Sequence, residues 1–265
     1  MQDYKIETIY GSDNSEASFC RERGGMVTLL KLQGKEVLYF DKATFLNKNE
    51  SVRGGIPILF PNAGELDKND TFPNLKRHGF AREMDWKREE SEVGFKESLD
   101  SSIEMKEVFP FDFKLTVLGK FENDGSFTLS QEVENMEKEK EMPIAMGLHP
   151  YFKVPNTEKG YIKFNCDKGR EVEDNIEIWS NGGTVYMDNP NINDEYNLIK
   201  VEIPSLGTLV INSSIEYEKV WVWSMAGKDF VCIEPMMRGV NGLIDEPLLI
   251  KPGSRFKVSV NFKLI

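Results

Sequence analysis

The chain has 265 residues and a formal net charge of −11 at pH 7, and 40% of its residues are hydrophobic and 29% charged. Nucleic-acid binders normally carry a basic patch, and proteins that bind anionic membranes carry clustered lysines and arginines. The acidic balance therefore excludes both classes from our expectation, and we predict no nucleic-acid partner and no membrane partner.

The compartment and the number of domains follow from the cysteines, the first residues and the length. The three cysteines are far apart and form no CxxC pair, which indicates neither a disulfide framework nor a zinc knuckle. The first residues, MQDYKIE, are charged where a signal peptide is apolar, and no stretch approaches the length of a membrane span. We expect a cytoplasmic protein with one domain over 1–265, because all-β folds of this size form single domains.

Alternating apolar and polar residues predict β-strands along most of the chain, because successive side chains of a strand point to opposite faces. Between two of these strands, residues 122–125 (ENDG) predict a hairpin turn, since Asp-Gly tolerates the positive φ angles of such turns. The predicted strands are 26–32, 36–40, 113–121, 126–133, 161–165, 198–203, 208–212, 219–224, 230–234 and 256–264.

Helical patterns are scarce, and only short turns near 42–47 and 65–70 fit them. The segment 51–82 interrupts the alternation with many Gly and Pro residues, which cannot form central sheet. Its apolar residues argue against disorder, and long irregular loops inside compact domains are commonly functional. Strands with frequent turns predict an all-β fold, either a large sandwich or a barrel.

Four polar residues lie in apolar, turn-rich surroundings: Arg53, His78, His149 and Glu234. The two histidines are the only ones in the chain, and histidine can both donate and accept a proton near neutral pH. Glu234 follows an apolar strand, where a carboxylate is costly to bury unless it is paired or functional. Each residue also has an ordinary interpretation, as a satisfied core or surface histidine, a loop-bracing arginine or a strand-end carboxylate that faces solvent.

Other kinds of site fit the sequence less well. Two histidines and a glutamate could bind zinc, but such sites usually draw two ligands from one short segment such as HExxH, and we therefore predict no metal. The chain contains no GxSxG elbow, P-loop or GxGxxG motif. A glycoside hydrolase needs two carboxylates around the glycosidic bond, and only Glu234 stands out.

Four short motifs contain the four polar residues and follow one another along the chain. They are RGGIP at 53–57, HGFAR at 78–82, LHPYF at 148–152 and EP at 234–235. Together they resemble the aldose 1-epimerase (mutarotase) family, in particular its glucose-6-phosphate 1-epimerase-like and LacX-like branch. The resemblance implies a galactose mutarotase-like β-supersandwich, in which large antiparallel sheets curve around a carbohydrate cleft. It also implies an isomerase that interconverts the α and β anomers of an aldose without a cofactor.

The resemblance also assigns roles to the four residues. His149 corresponds to the general acid of the family and Glu234 to its general base. Arg53 and His78 correspond to residues that hold substrate hydroxyls. The expected partner is therefore a small-molecule sugar or sugar phosphate, and the oligomeric state is left open.

Two features bear on which sugar is bound. The family has an aspartate before its last strands, but the nearest segment here, GGTVY at 182–186, lacks it, and Asp188 lies just beyond. Arg82, with Arg77 or Lys76 nearby, could hold a phosphate, because guanidinium groups match phosphate oxygens.

A non-catalytic carbohydrate-binding or sugar-sensing protein on the same fold is the alternative, because a cleft can persist without turnover. The acid–base pair favours the enzyme, and the missing aspartate favours the binding protein. Trp221 and Trp223 share one face of a strand, and we expect them to pack in the core.

Overall fold

Antiparallel strands make up most of the structure, a computed structural model that describes residues 4–67, 70–192 and 196–265. The strands in chain order are β1 (Glu7–Tyr10), β2 (Glu16–Cys20), β3 (Met26–Leu32), β4 (Lys35–Glu36), β5 (Ile58–Leu59), β6 (Lys87–Glu89), β7 (Phe95–Asp100), β8 (Phe113–Phe121), β9 (Phe127–Asn135), β10 (Met142–Ile144), β11 (Gly147–Leu148), β12 (Tyr151–Lys153), β13 (Lys163–Asn165), β14 (Thr184–Asp188), β15 (Asn191–Ile192), β16 (Tyr196–Ile203), β17 (Gly207–Ser214), β18 (Lys219–Trp223), β19 (Phe230–Met236), β20 (Leu248–Ile250) and β21 (Arg255–Leu264).

The helices of the described residues are short, and none is long and apolar enough to cross a membrane. The α-helices are α1 (Lys42–Leu46), α2 (Ile103–Lys106), α3 (Gly169–Asp174), α4 (Ile176–Trp179) and α5 (Gly242–Asp245). Single turns of 3₁₀ helix occur at Arg21–Arg23 and Ala81–Glu83, and a longer one at Asn156–Tyr161.

Two large sheets dominate the architecture. The larger has nine strands in the order β13-β16-β17-β21-β9-β8-β7-β6, with β15 beside β16. The smaller has six, in the order β14-β18-β19-β11-β5, with β12 also paired to β19. A four-stranded sheet β1-β2-β3-β4 and the pair β10-β20 complete the fold. The predicted all-β fold with large antiparallel sheets and few short helices is confirmed.

The main core lies between the two large sheets, because each sheet sends every second side chain toward the other. The rings of Phe152 in the six-stranded sheet and Phe262 in the nine-stranded sheet have centroids 5.9 Å apart. The opposite face of the six-stranded sheet is therefore free to carry polar side chains. The core residues contributed by the central strands include Leu115, Val117, Leu129, Val133, Val220, Val222, Val231, Ile233, Val258 and Val260.

Most predicted strands lie where the alternation puts them. Strands β3 and β8 have the predicted bounds, and residues 122–125 connect β8 to β9 in a hairpin in which Gly125 has a φ of 78°. The prediction for 36–40 is wrong beyond Glu36, where only isolated bridges from Leu38 and Phe40 continue the pairing. The prediction for 161–165 is wrong at its start, because the 3₁₀ helix continues to Tyr161.

Of the two predicted helical turns, the one near 42–47 is confirmed as α1, whose first turn is capped by the Asp41 carboxylate. The turn predicted at 65–70 is not helical at 65–67 or at 70, while 68 and 69 lie outside the described residues. Long-range bonds hold this stretch instead, since the Asp67 N–H donates to the Asn241 side chain and the Asn241 N–H donates to the Glu65 carbonyl.

The Gly- and Pro-rich segment 51–82 is ordered by contacts with distant parts of the chain. Its residues 58–59 form β5 at the edge of the six-stranded sheet, where β11 pairs with them. Isolated bridges join Ile56 to Val27 and Asn62 to Ala145. The described residues of the segment, 51–67 and 70–82, are therefore irregular in outline but held by long-range pairing, and they include two of the four polar residues.

Candidate active site

The face of the six-stranded sheet that points away from the core carries the candidate site. Alternation along β18 and β19 sends Trp221, Trp223 and Glu234 to this face, and the sheet register places Trp221 directly beside Glu234. His149 follows β11, and its N–H donates to the Pro57 carbonyl, so the segment 51–82 fixes the backbone of this histidine.

All four predicted residues line one cavity of about 300 Å³: Arg53, His78, His149 and Glu234. This volume is at the lower end of the range of small-molecule sites, about 300–1,000 Å³. A larger groove of about 760 Å³ against the four-stranded sheet contains none of the four. The smaller cavity is therefore where the chemically competent groups converge.

His149 and Glu234 form the centre of the cavity. The His149 Nε2 atom lies 3.4 Å from Glu234 Oε1, and only 5% and 2% of the two residues is exposed. Burial raises the pKa of the Glu234 carboxyl well above its usual range, although Arg77 and Arg82 act in the opposite direction. Burial, with His78 and Arg82 nearby, holds the pKa of His149 well below its usual range. These two directions favour a protonated carboxyl beside a neutral imidazole.

His78 lies beside this pair and is held by its own backbone and ring contacts. Its Nδ1 atom is hydrogen-bonded to the Ala63 carbonyl, and its backbone has a φ of 67°, which is uncommon for a residue other than glycine. Burial, followed by the charges of Arg82 and Arg77, lowers its pKa to about 3. His78 is therefore a neutral hydrogen-bonding group at neutral pH.

Aromatic rings position the His149 imidazole. Tyr151 stacks on it with centroids 4.7 Å apart and planes 9° apart, and His78 meets it edge-on at 5.3 Å. The rings of Trp223 and His149 meet edge-on, with centroids 6.0 Å apart. The Arg53 guanidinium lies over the Trp223 ring, 5.3 Å from its centroid. These contacts fix the direction in which the imidazole faces the cavity.

The basic residues named as candidate phosphate ligands do not all reach the cavity. Arg77 and Arg82 line it, and Arg77 also forms an ion pair with Glu65 at 3.2 Å. Lys76 is paired with Glu83 at 3.7 Å and lines a neighbouring pocket instead. Arg77 and Arg82, together with Arg53, are therefore the positive groups that a ligand in the cavity would meet.

Three buried nitrogen atoms on residues that border the cavity have no hydrogen-bond partner within the described part of the chain. They are Trp221 Nε1, Arg82 Nε and His149 Nδ1. A buried polar atom without a partner is costly, and a native protein tolerates one chiefly where a ligand or water completes it. These atoms are suited to the many hydroxyl groups of a sugar.

The structure adds residues that the sequence patterns missed. Tyr151, Gly182, Thr184 and Ser51 also line the cavity. Thr184 lies beside Trp223 in the pairing of β14 with β18. Had this pairing been known, the alternation along β18 would have placed Thr184 on the cavity face.

Asp188 does not take the place of the missing family aspartate. It lies outside the cavity, and its carboxylate forms ion pairs with Lys168 at 2.6 Å and Lys219 at 2.7 Å. Both tryptophans are predicted from the sequence to pack in the core. Trp221 is buried, with 2% exposed, in a small cluster apart from the main core, whereas Trp223 is only half-buried, and both line the cavity.

One group of side chains could also bind a metal ion. Donor atoms of His149, Cys232 and Glu234 all lie within 4.8 Å of one another, and all three residues are buried. Spacing along the chain does not indicate this group, because Cys232 and Glu234 lie in β19 and His149 lies between β11 and β12.

Known proteins resemble this chain in both sequence and fold. Its residues 10–203 match the profile of the aldose 1-epimerase family. The chromosomal protein LacX of Lactococcus lactis subsp. lactis is 33% identical over 148 residues, which are 51% of this chain and 47% of LacX. A protein of Escherichia coli (strain K12) with a provisionally assigned glucose-6-phosphate 1-epimerase activity is 26% identical over 171 residues, 61% of this chain and 54% of the relative. The chain thus spans about half the length of these relatives.

The fold comparison covers nearly the whole chain. The Slr1438 protein from Synechocystis sp. PCC 6803 superposes with a TM-score of 0.79 and 26% identity, over 99% of this chain and 96% of that one. A galactose mutarotase-like protein from Clostridium acetobutylicum has a TM-score of 0.76 and 19% identity, over 98% of both chains. The fold is galactose mutarotase-like, and the match over 10–203 covers most of the chain. This protein belongs to the aldose 1-epimerase family.

Proposed function

We propose that the protein interconverts the α and β anomers of an aldose or aldose phosphate by acid–base opening and closing of the sugar ring. The observation that carries this proposal is the buried pair of His149 and Glu234, whose side chains lie 3.4 Å apart in a cavity bordered by unpartnered polar atoms. A hemiacetal carries its ring oxygen and its anomeric hydroxyl on one carbon. Two groups at this separation can therefore contact both oxygens at once.

His149 protonates the ring oxygen while Glu234 accepts the proton of the anomeric hydroxyl. The bond between the anomeric carbon and the ring oxygen breaks, and the open aldehyde rotates about one carbon–carbon bond. Ring closure then returns both protons and gives the other anomer. Each transfer by a positioned side chain is worth about 10²–10⁴-fold in rate.

The proton that starts this cycle rests on Glu234, which fits the raised pKa of its carboxyl and the lowered pKa of His149. A sugar hydroxyl that donates to Glu234 favours its carboxylate form, because hydrogen bonds to a charged form stabilise it. The pair holds the same number of protons in either arrangement. Substrate binding therefore only has to move one proton from Glu234 Oε1 to His149 Nε2, 3.4 Å away, and His149 is then the acid.

Arg53 and His78 hold the sugar during the reaction. The Arg53 guanidinium lies over Trp223 and lines the cavity together with His149. His78 is held neutral, so it can hydrogen-bond a hydroxyl without competing for the transferred proton. Fixing the hydroxyls keeps the open aldehyde beside the acid–base pair, which is the source of the proximity effect.

The test is anomer exchange measured by saturation-transfer NMR on glucose, galactose and glucose 6-phosphate. We expect Glu234→Gln and His149→Asn each to reduce the exchange rate by about 10²-fold or more while leaving the fold intact. The matched control is Glu97→Gln, which alters another buried carboxyl outside the cavity and should retain wild-type exchange. Wild-type turnover in Glu234→Gln would refute the assignment. Binding without exchange in the wild-type protein would indicate a sugar-binding protein instead.

Arg77 and Arg82 support a phosphorylated substrate. Both line the cavity, and Arg82 Nε has no partner within the described chain. Guanidinium groups bind phosphate oxygens through paired hydrogen bonds. The relative from Escherichia coli (strain K12) carries a provisional glucose-6-phosphate 1-epimerase name, which agrees with this choice.

Removal of one positive charge distinguishes recognition of the phosphate from recognition of the sugar ring. We expect Arg77→Met to lower kcat/KM for glucose 6-phosphate about tenfold or more and that for glucose less than threefold. Lys76→Met removes the neighbouring charge outside the cavity and is the matched control, with no effect on either substrate. An equal loss on both substrates would show that Arg77 does not recognise phosphate.

A further inference from the structure

Cys232 is a potential metal ligand beside the acid–base pair that ring opening does not use. It precedes Glu234 by two residues on β19, so both side chains point to the same face of the sheet. The register places Cys232 between Tyr151 on one neighbouring strand and Trp223 on the other. Its thiol is free and fully buried behind the cavity wall.

We propose that Cys232, His149 and Glu234 form a binding site for a soft divalent cation of the Zn²⁺ class, which occupies the acid–base pair and blocks it. The three residues supply a sulfur, a nitrogen and an oxygen donor, all within 4.8 Å of one another. Tetrahedral zinc with bonds of about 2.0–2.3 Å needs its donors roughly 3.3–3.8 Å apart. His149 and Glu234 already meet that separation at 3.4 Å, so only a small movement of the thiol is required.

The donor set determines which cations can bind. A thiolate with an imidazole selects Zn²⁺, Co²⁺ or Cd²⁺ over Mg²⁺ and Ca²⁺, which prefer oxygen ligands only. The thiol and the protonated Glu234 carboxyl each release a proton to solvent when the metal binds. Three protein donors leave the fourth position of the metal facing the cavity, where water completes the coordination.

The charges around the cavity make the thiolate essential. Arg53, Arg77 and Arg82 line the same cavity and repel any cation. A hard cation attracted by the Glu234 carboxylate alone does not overcome this repulsion. A soft cation gains a metal–thiolate bond in addition, so affinity for this class depends on Cys232.

Inhibition follows from the identity of the ligands, and this consequence rests on the proposed acid–base function. A metal bound to His149 Nε2 and the Glu234 carboxylate occupies the lone pairs that transfer protons. The inhibition is reversed by a chelator and is competitive with the sugar, because both need the same cavity.

The experiment is a Co²⁺ titration of the full chain followed by absorption spectroscopy, with Zn²⁺ displacement read by calorimetry. We expect a thiolate-to-cobalt charge-transfer band together with the strong visible bands of tetrahedral Co²⁺. Cys232→Ala should lose the charge-transfer band and weaken Zn²⁺ binding at least tenfold. The matched control Cys166→Ala removes a more accessible free thiol and should behave as wild type. Thermal unfolding confirms that both variants are folded.

The outcomes separate the metal site from the enzyme assignment. A wild-type protein without the charge-transfer band, or a Cys232→Ala variant that keeps it, would overturn the metal site. If the band is present but no sugar shows anomer exchange, the metal site stands and the proposed function fails. If both hold, Cys232→Ala should retain anomer exchange and resist Zn²⁺ concentrations that halve the wild-type rate.

Discussion

The nine-stranded sheet and the segment 51–82 both border the main core, but different kinds of contact hold them. In the sheet, β8 and β9 are neighbours along the chain and pair continuously from Phe113–Asn135 to Phe121–Phe127. In the segment 51–82, the backbone partners are distant, such as Val27 for Ile56 and Gly147 for Leu59.

The difference shows which contacts position the residues of the candidate site. Local alternation and a short turn are enough to build the sheet, which supplies a rigid support. The segment 51–82 gains its shape only when the remote strands are present. It then places Arg53 and His78 against the cavity and supplies the Pro57 carbonyl that accepts a hydrogen bond from the His149 N–H. Stability and site geometry should therefore respond differently to changes in the two regions.

The largest effect is expected from breaking the segment 51–82 at Gly79. This residue has a φ of 65°, and a Cβ atom there would lie 1.9 Å from the Phe60 carbonyl oxygen. Gly79→Ala should lower the free energy of unfolding by more than about 4 kcal/mol and remove anomer exchange, because the neighbouring His78 would move. Urea denaturation and NMR exchange measure the two quantities.

Gly227→Ala is the matched control for this change. Gly227 has a similar φ of 70° but no atom within 4 Å of an added Cβ, so only the backbone conformation is strained. We expect a loss of about 1 kcal/mol and unchanged exchange. Equal losses in the two variants would mean that the contact with Phe60 does not hold the segment.

The next effect comes from the core face of the nine-stranded sheet. Leu129 is fully buried there, and Leu129→Ala should cost about 3 kcal/mol through lost burial and a cavity. Below its unfolding midpoint the variant should keep wild-type specific activity, because this sheet only supports the site. Lys257→Ala on the exposed face of the adjacent strand should change stability by less than about 0.5 kcal/mol. A loss of activity in folded Leu129→Ala would contradict the separation of support from site.

The same contrast explains which strands could be predicted from the sequence. The bounds of β3 and β8 were predictable because their alternation is local and regular. The prediction for 36–40 failed beyond Glu36, since Leu38 and Phe40 meet irregular partners rather than a strand. The turn predicted at 65–70 failed at 65–67, where bonds to Asn241 override local preference.

The site divides in the same way. Motif resemblance identified Arg53, His78, His149 and Glu234, and the structure brings all four to one cavity. Alternation along the predicted strand 230–234 puts Cys232 on the same face as Glu234, but its proximity to His149 depends on the pairing of β11 and β12 with β19. Alternation within one strand indicates which face a side chain occupies. It does not indicate which strands adjoin it.

A pH-dependent effect, modest for each pH unit, should sharpen the comparison within the nine-stranded sheet. Glu97 on β7 is 1% exposed, and neither of its carboxyl oxygens has a partner within the described chain. Burial, opposed by Arg21 and reinforced by Glu7, raises its pKa to about 8. The folded protein therefore binds this proton more tightly than the unfolded chain does.

The sign of the effect follows from that difference. The contribution of Glu97 to stability is fully present below its unfolded pKa of about 4.5 and is lost as the pH rises through about 8. Between these two pKa values, the free energy of unfolding of the wild-type protein, relative to that of Glu97→Gln, should fall by up to about 1.4 kcal/mol for each unit of pH increase. Urea denaturation of both proteins at pH 5, 6, 7 and 8, roughly one unit apart, gives the slope. Parallel stability curves would show that Glu97 is ionised in the folded protein.

The smallest expected effect concerns a cavity residue that sequence motifs did not indicate. Thr184 lines the cavity opposite Trp223 in the sheet register, on the strand that ends with Asp188. Thr184→Val keeps the side-chain shape but removes the hydroxyl, so one sugar hydrogen bond worth about 1 kcal/mol should be lost. KM should rise about fivefold with kcat nearly unchanged, because the acid–base pair is untouched. Thr116→Val in the nine-stranded sheet makes the same replacement away from the cavity and should leave KM at the wild-type value. An unchanged KM in Thr184→Val would mean that this wall of the cavity contacts no sugar hydroxyl, and that recognition rests on the arginines and histidines alone.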